Sequence, residues 1–150
     1  MPNTNIIQAQ NFSTFMLAGN AVFTVTNATT GNHFTFKVKR GYADRNPTWY
    51  VKVKSKSPKW VHLGTISGFK FRPNEIMKEK RNIEVTAFAW LFKQRRQLAR
   101  FPTVKIYHEG GCARCGRTLT LPESIECGFG KTCAKLLDVE YGGPLYASAQ

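Results

Sequence analysis

The sequence predicts an α+β fold: an antiparallel β-meander packed with one main helix, followed by a small cysteine-bearing module near the C-terminal end. Three observations carry this. Residues 21–72 hold short alternating runs of β-branched and aromatic residues separated by turn clusters, the pattern of half-buried antiparallel strands. Residues 84–98 hold apolar side chains at helical spacing. All four cysteines fall between Cys112 and Cys133.

Along the chain, residues 1–11 show no apolar periodicity and are expected to be loose, as is the tail 141–150 with its Gly142-Gly143-Pro144. Between them lie a basic α+β body, residues 12–103, and the module, residues 104–140. Strands are expected at 21–27, 33–40, 48–54 and 61–67, with a further short one at 69–71. Thr29-Thr30-Gly31-Asn32 marks the first hairpin, Asp44-Arg45-Asn46-Pro47 the second, and residues 55–59 the third. In the helix expected over 84–98, Val85, Phe88, Ala89 and Phe92 fall at i, i+3, i+4 and i+7, Asn82 is placed to cap the N-terminus, and Pro102 stops the run. Residues 104–107 read as a strand leading into the module, where residues 117–121 are expected to pair with it as a hairpin.

A chain of 150 residues buries roughly 70% of its unfolded surface and can fold on an ordinary core. Its 42% hydrophobic content and 11 Phe exclude global disorder. No apolar run approaches the roughly 18 residues of a membrane span, and residues 1–11 lack the basic and apolar regions of a signal peptide. The expectation is a soluble cytoplasmic protein without a membrane partner. The net charge of +13 points to a polyanionic partner. It is unevenly spread, with +7 in residues 1–60, +7 in 61–105 and −1 in 106–150. The basic surface therefore belongs to the body and not to the module.

Four cysteines clustered in a reducing compartment suggest metal rather than disulfides. Cys112-Ala113-Arg114-Cys115-Gly116 is a C-x₂-C knuckle, which offers two thiolates from one tight turn, with a glycine that lets the backbone double back. Cys133 supplies a third ligand. Either Cys127 or His108 completes a tetrahedral Zn²⁺ site, since thiolate and imidazole are both good zinc ligands. Full coordination by protein implies a structural zinc, contributing on the order of 10 kcal/mol or more in comparable peptides. The module would then be zinc-ribbon or treble-clef-like. Gly128-Phe129-Gly130-Lys131-Thr132 imitates part of a phosphate-binding loop, but the glycine required five residues before Gly130 is Ile125 and no strand precedes it.

The run from His108 through Cys112-Ala-Arg-Cys-Gly-Arg-Thr-Leu-Thr-Leu-Pro-Glu-Ser-Ile125, with Gly128-Phe-Gly130 and Cys133 after it, resembles a family of small phage and bacterial zinc-ribbon proteins of uncharacterised function. Its pattern is CxxCGRxLTxPESI followed by GxGPxC. The chain departs from it at Lys131, where the family usually has proline, and at Cys127, where a non-cysteine residue is common; the second departure counts against Cys127 and raises His108, which stays the alternative to it as fourth ligand. The resemblance implies a phage or mobile-element origin, with the bacterial host cytoplasm as the compartment, and implies no enzymatic activity.

Strand alternation places Phe34, Phe36, Val38, Trp49, Val51 and Val53 on one face, and Lys37, Lys39, Tyr50, Lys52 and Lys54 on the other. Lysines that track phosphates beside an aromatic ring able to stack a base suit a nucleic-acid surface. Lysines on exposed strands also protect sheet edges from pairing with other chains. Lys93, Arg96 and Arg100, at i, i+3 and i+7 with Arg95 nearby, form a second basic candidate on the helix, where cations also favour the helix dipole. Lys78, Lys80 and Arg81 extend either patch. His33 and His62 read as ordinary strand histidines. The leading expectation is a non-enzymatic nucleic-acid-binding accessory protein. The alternative is an effector that binds a host defence or transcription enzyme, occupying its nucleic-acid site or an acidic patch. A nuclease would need gathered carboxylates, and the chain has nine acids with only Asp44 before Glu75.

Overall fold

The computed structural model describes residues 5–41, 46–54, 58–80 and 82–141. The body is a six-stranded, wholly antiparallel sheet with helices, a mixed α/β architecture. Its strands are β1 (Asn20–Asn27), β2 (His33–Gly41), β3 (Thr48–Lys54), β4 (Val61–Ser67), β5 (Lys70–Pro73) and β6 (Val104–His108), in the order β5-β4-β3-β2-β1-β6. The expected meander is therefore present from β1 to β5. The first hairpin turns at Gly31, whose φ of +75° suits glycine and whose N–H donates to the Asn27 carbonyl at 2.8 Å. The expected second hairpin at 44–47 and the third at 55–59 both fall partly outside the described residues, which leave out 44–45 and 55–57 of them.

Strand β6 does not pair with residues 117–121. It lies along the free edge of β1, with Val25 opposite Ile106 and Phe23 opposite His108. The reason is burial: Ile106 and His108 are both buried, which an outlying hairpin could not provide. Residues 5–8, expected to be loose, border the other side of β6. Ile6 bridges Tyr107, the Ile7 N–H donates to the Ile106 carbonyl at 2.8 Å, and the Ile7 side chain is buried.

Helix α1 (Phe12–Met16) buries Phe12, Phe15 and Met16 completely. Helix α2 (Glu75–Glu79) is capped by Asn74, whose side chain accepts from the Ile76 N–H. The main helix, α3 (Ile83–Lys93), is capped by Asn82 as expected, with the side chain accepting from the Glu84 N–H at 2.8 Å. It ends five residues earlier than the predicted 98. Past Lys93 no apolar residue appears before Leu98, and the Arg95 guanidinium turns back to donate to the Phe92 carbonyl at 2.8 Å while lying 4.1 Å from the Phe92 ring centroid. Val85, Phe88 and Phe92 face the core with Leu91, whereas Ala89 is exposed. Helices α4 (Pro122–Cys127) and α5 (Lys131–Leu136) complete the module. No helix among the described residues is long and apolar enough to cross a membrane.

The helices pack on one face of the sheet. A line of ring contacts runs through this core: Phe71 to Phe88 at 4.8 Å, Phe88 to Phe36 at 5.1 Å, Phe36 to Phe23 and Phe23 to Phe15 at 6.0 Å each, and Phe15 to Phe129 at 5.8 Å. Such pairs add about 0.5–1.5 kcal/mol each beyond the area they bury. They join β5 at one edge to the cysteine module at the other; one buried cluster holds residues of strands β1 to β4 and β6 and of the module, and the half-buried Phe71 of β5 packs against it.

Candidate functional site

The cysteine module is built on a tight turn. Cys112 donates its N–H to the Arg117 carbonyl, and the Gly116 N–H returns to the Cys112 carbonyl, both at 2.8 Å, with Gly116 at φ +79°. Gly111 and Thr118 bridge beneath it. The knuckle is tied to the sheet by Asn20, whose backbone N–H donates to the Ala113 carbonyl at 2.6 Å and whose side-chain amide donates to the Arg114 carbonyl at 2.7 Å. The Ala113 N–H donates to the Gly128 carbonyl at 3.1 Å, at the C-terminus of α4. Cys133, in the first turn of α5, completes the approach. The sulfurs of Cys112, Cys115 and Cys133 all lie within 4.8 Å of one another. Tetrahedral zinc with bonds of about 2.3 Å separates its ligand sulfurs by roughly 3.8 Å, so a small contraction suffices for these three to hold a metal ion.

The electrostatics agree with that fit. Burial pushes the Cys112 thiol up, but the backbone N–H groups of Cys115, Gly130 and Arg114, joined by the Cys115 side chain, outweigh it, and the net direction is down. Burial, followed by the proximity of Cys112 and Cys115, pushes Cys133 up against the Arg114 guanidinium, whose Nη1 donates to its sulfur at 3.6 Å. Three thiols so close cannot ionise together without a cation among them. A divalent metal ion relieves that repulsion.

Neither candidate for the fourth ligand joins this group. The Cys127 sulfur is buried 3.4 Å from the Phe129 carbonyl and 3.8 Å from that of Ser124, a setting that receives a thiol proton and repels a thiolate. His108 is buried beneath Phe15, and both of its ring nitrogens are engaged. Nδ1 accepts from the Gly110 N–H at 3.0 Å, which fixes the proton on Nε2, and Nε2 donates to the Ile125 carbonyl at 2.5 Å. No lone pair is left for a metal. His108 instead pins α4 to β6, and burial lowers its pKa, outweighing the opposing effects of the Ile125 carbonyl and Glu109.

The second candidate site is the sheet face turned away from the helices. The pairings set up two rows across it: Asn20, Lys39, Tyr50, Thr65, Arg72, and beside it Val22, Lys37, Lys52, His62. Lys37 and Lys52 stand directly opposite one another, a like-charge pairing that destabilises a sheet. None of the six strands contains an acidic residue. Among the described residues, Glu109 meets this face, where it accepts from the Thr24 hydroxyl of β1 at 2.5 Å. The face also carries an aromatic residue that strand alternation over 48–54 did not reveal. Trp60, just ahead of β4, has the ammonium groups of Lys37 and Lys54 each 5.7 Å from its ring centroid. A lone tryptophan two residues before His62 was the available signal, and it gains meaning only once the pairing of β3 with β4 is known.

The expected helical stripe does not form. Lys93 is the last residue of α3, Arg96 follows in a turn, and Arg100 ends a separate 3₁₀ turn, where it donates to the Gln97 side chain. All three are exposed, but they share no helix face, and α3 lies across the sheet from the lysines. Lys78 and Lys80 are exposed at α2, and Arg81 lies outside the described residues. His33 and His62 are exposed strand residues.

In comparison with known proteins, residues 105–138 match the model of a family of unknown function (DUF6011). No curated protein and no solved structure matches the chain. The matched segment begins in β6 and ends just after α5, so it coincides with the cysteine module and leaves most of the sheet outside it.

Proposed function

We propose that this chain is a non-enzymatic nucleic-acid-binding accessory protein, of phage or mobile-element type by its resemblance, with a structural zinc in a zinc-ribbon or treble-clef-like module. The observation that carries the reading is the one-signed sheet face. Lys37, Lys39, Lys52 and Lys54 project from adjacent strands with aromatic side chains between them, and Lys37 and Lys52 are paired at a cost that a bound polyanion would offset. Zinc would be held by Cys112, Cys115 and Cys133, with the fourth position left to water or an outside ligand. Its role would be structural, because Cys112 and Cys133 belong to the buried core cluster with Ala113, Phe129 and Ala134. A bound zinc would fix the knuckle against α5.

The test is binding of labelled single-stranded and duplex DNA and RNA across a salt series, with wild type compared to a variant carrying Lys→Glu at 37, 39, 52 and 54. If four lysines and Arg72 track five phosphates, the single-strand salt slope should be about −3.5, and affinity should drop roughly 100-fold from 50 to 200 mM salt. The variant should lose most of both. Weak, salt-independent binding that is equal in the two proteins would refute the reading and favour a protein-binding effector.

A further inference from the structure

We infer that the ligand of the sheet face is a single-stranded nucleic acid, whose bases stack on Trp60 and Tyr50 while its phosphates meet the surrounding lysines. This rests on the nucleic-acid reading above and narrows it. The first argument is steric. Six strands at about 4.8 Å spacing span roughly 24 Å, twice the roughly 12 Å width of a B-DNA major groove. The face can lie against duplex phosphates but cannot enter a groove to reach bases. Helix α3, long enough to be a groove reader, packs on the opposite side of the sheet with Phe88 against Phe36.

The second argument is the placement of the two rings. Trp60 extends the line of β4 beyond Val61, whose partner is Val53, and so lies beside Lys54, with the Lys37 and Lys54 ammonium groups equidistant from its centroid. Cation–π contacts of this length on an open face are weak. The ammonium groups can swing to phosphates, leaving the indole to a base. Tyr50 stands four residues from Lys54 along β3, about 13 Å away, and is 40% exposed. Its ring rests on Gly41, where a Cβ would stand 2.7 Å from Cε2. A side chain at position 41 would push the ring away from the sheet, so the glycine keeps Tyr50 laid across the surface. In a duplex the bases stack on each other and have no use for such platforms. In a single strand they do, and each stacked base strengthens binding by roughly 5- to 150-fold.

The decisive experiment compares three ligands at fixed salt: a 20-nucleotide single strand, an abasic strand with the same number of phosphates, and a 20-base-pair duplex. DNA and RNA versions of the single strand separate the two sugars. The intact strand should bind at least about tenfold tighter than the abasic one. Trp60→Ala should remove most of that margin without changing the salt slope, Trp60→Phe should keep it, and neither should weaken the duplex. Equal affinity for intact and abasic strands, with measurable salt-dependent binding of both, would overturn the single-strand inference and leave the nucleic-acid reading standing. Failure of every ligand to bind would overturn both. The abasic comparison uses wild-type protein, so it holds even if the Trp60 variants fold poorly.

Discussion

Gly128→Ala should destabilise the whole protein, and the structure indicates by how much. Gly128 caps α4 at φ +82°, a region where a side chain costs about 1 kcal/mol relative to glycine. Its added Cβ would also lie 2.8 Å from both Ile7 Cδ1 and Phe15 Cε2, and 3.0 Å from Phe15 Cδ2. Ile7 can yield at its tip. Phe15 cannot, because it is fully buried and held edge-on by Phe23 and Phe129. Overpacking of this kind costs about 1–3 kcal/mol, so the total is about 2–4 kcal/mol. For a domain of this size that lowers Tm by roughly 5–15 °C. The assay is thermal unfolding followed by far-ultraviolet circular dichroism of the zinc-loaded protein, with Gly31→Ala as the control. Gly31 has a similar φ of +75° but nothing within 4 Å of its Cβ, so it reports backbone strain without the clash. Equal, small losses in both variants would refute the argument that the module and the sheet share one core.

Further predictions test the remaining parts. Cys112→Ser and Cys133→Ser should abolish stoichiometric zinc binding, read by a chromophoric chelator, whereas Cys127→Ser should retain it because that sulfur lies outside the cluster. A strong chelator should lower the melting temperature of the sheet as well as the module, since both draw on one buried cluster. His108 should make stability depend on pH. Burial lowers its folded pKa, so the unfolded chain takes up a proton first, near its unperturbed value of about 6.5. The His108 contribution is then fully present above about pH 6.5 and shrinks as pH falls below it; His108→Gln, at equal zinc, should flatten that slope in urea melts. Asn82→Ala, which removes the α3 cap, should cost about 1 kcal/mol by the same measurement.

How far the sequence revealed this molecule depended on the range over which each signal acts. Period-two patterning reports burial residue by residue, so the third and fourth strands match their predicted limits of 48–54 and 61–67. Helical periodicity was weaker evidence at the end of α3, because Phe92 ends the apolar repeat but charged residues can continue a helix or leave it. The partner of β6 was not legible, since nothing local in Val104–His108 names β1, more than seventy residues earlier, over the nearby residues 117–121. The N-terminal segment escaped notice because α1 has five residues, too few for a periodic signal, although Phe12, Phe15 and Met16 already stand at i, i+3 and i+4. In the module, the C-x₂-C knuckle announced itself and Cys133 followed. Pro122 and Gly128 marked the start and end of α4, but α4 and α5 have six residues each, too few for a periodic signal, so both helices went unread and with them the burial of Cys127. The lysine face followed from alternation alone, whereas Trp60 required the pairing of β3 and β4.

The central claim, that the outer sheet face is the nucleic-acid surface, is tested most directly by mapping where an oligonucleotide touches the protein. Amide chemical shifts of the isotope-labelled, zinc-loaded protein would be followed as a 20-nucleotide single strand is added. Shifts concentrated at Lys37, Lys39, Tyr50, Lys52, Lys54 and the Trp60 indole N–H, with little change at Lys93, Arg96 and Arg100, are the predicted result. Shifts centred on the end of α3, or spread evenly over every basic residue, would contradict it.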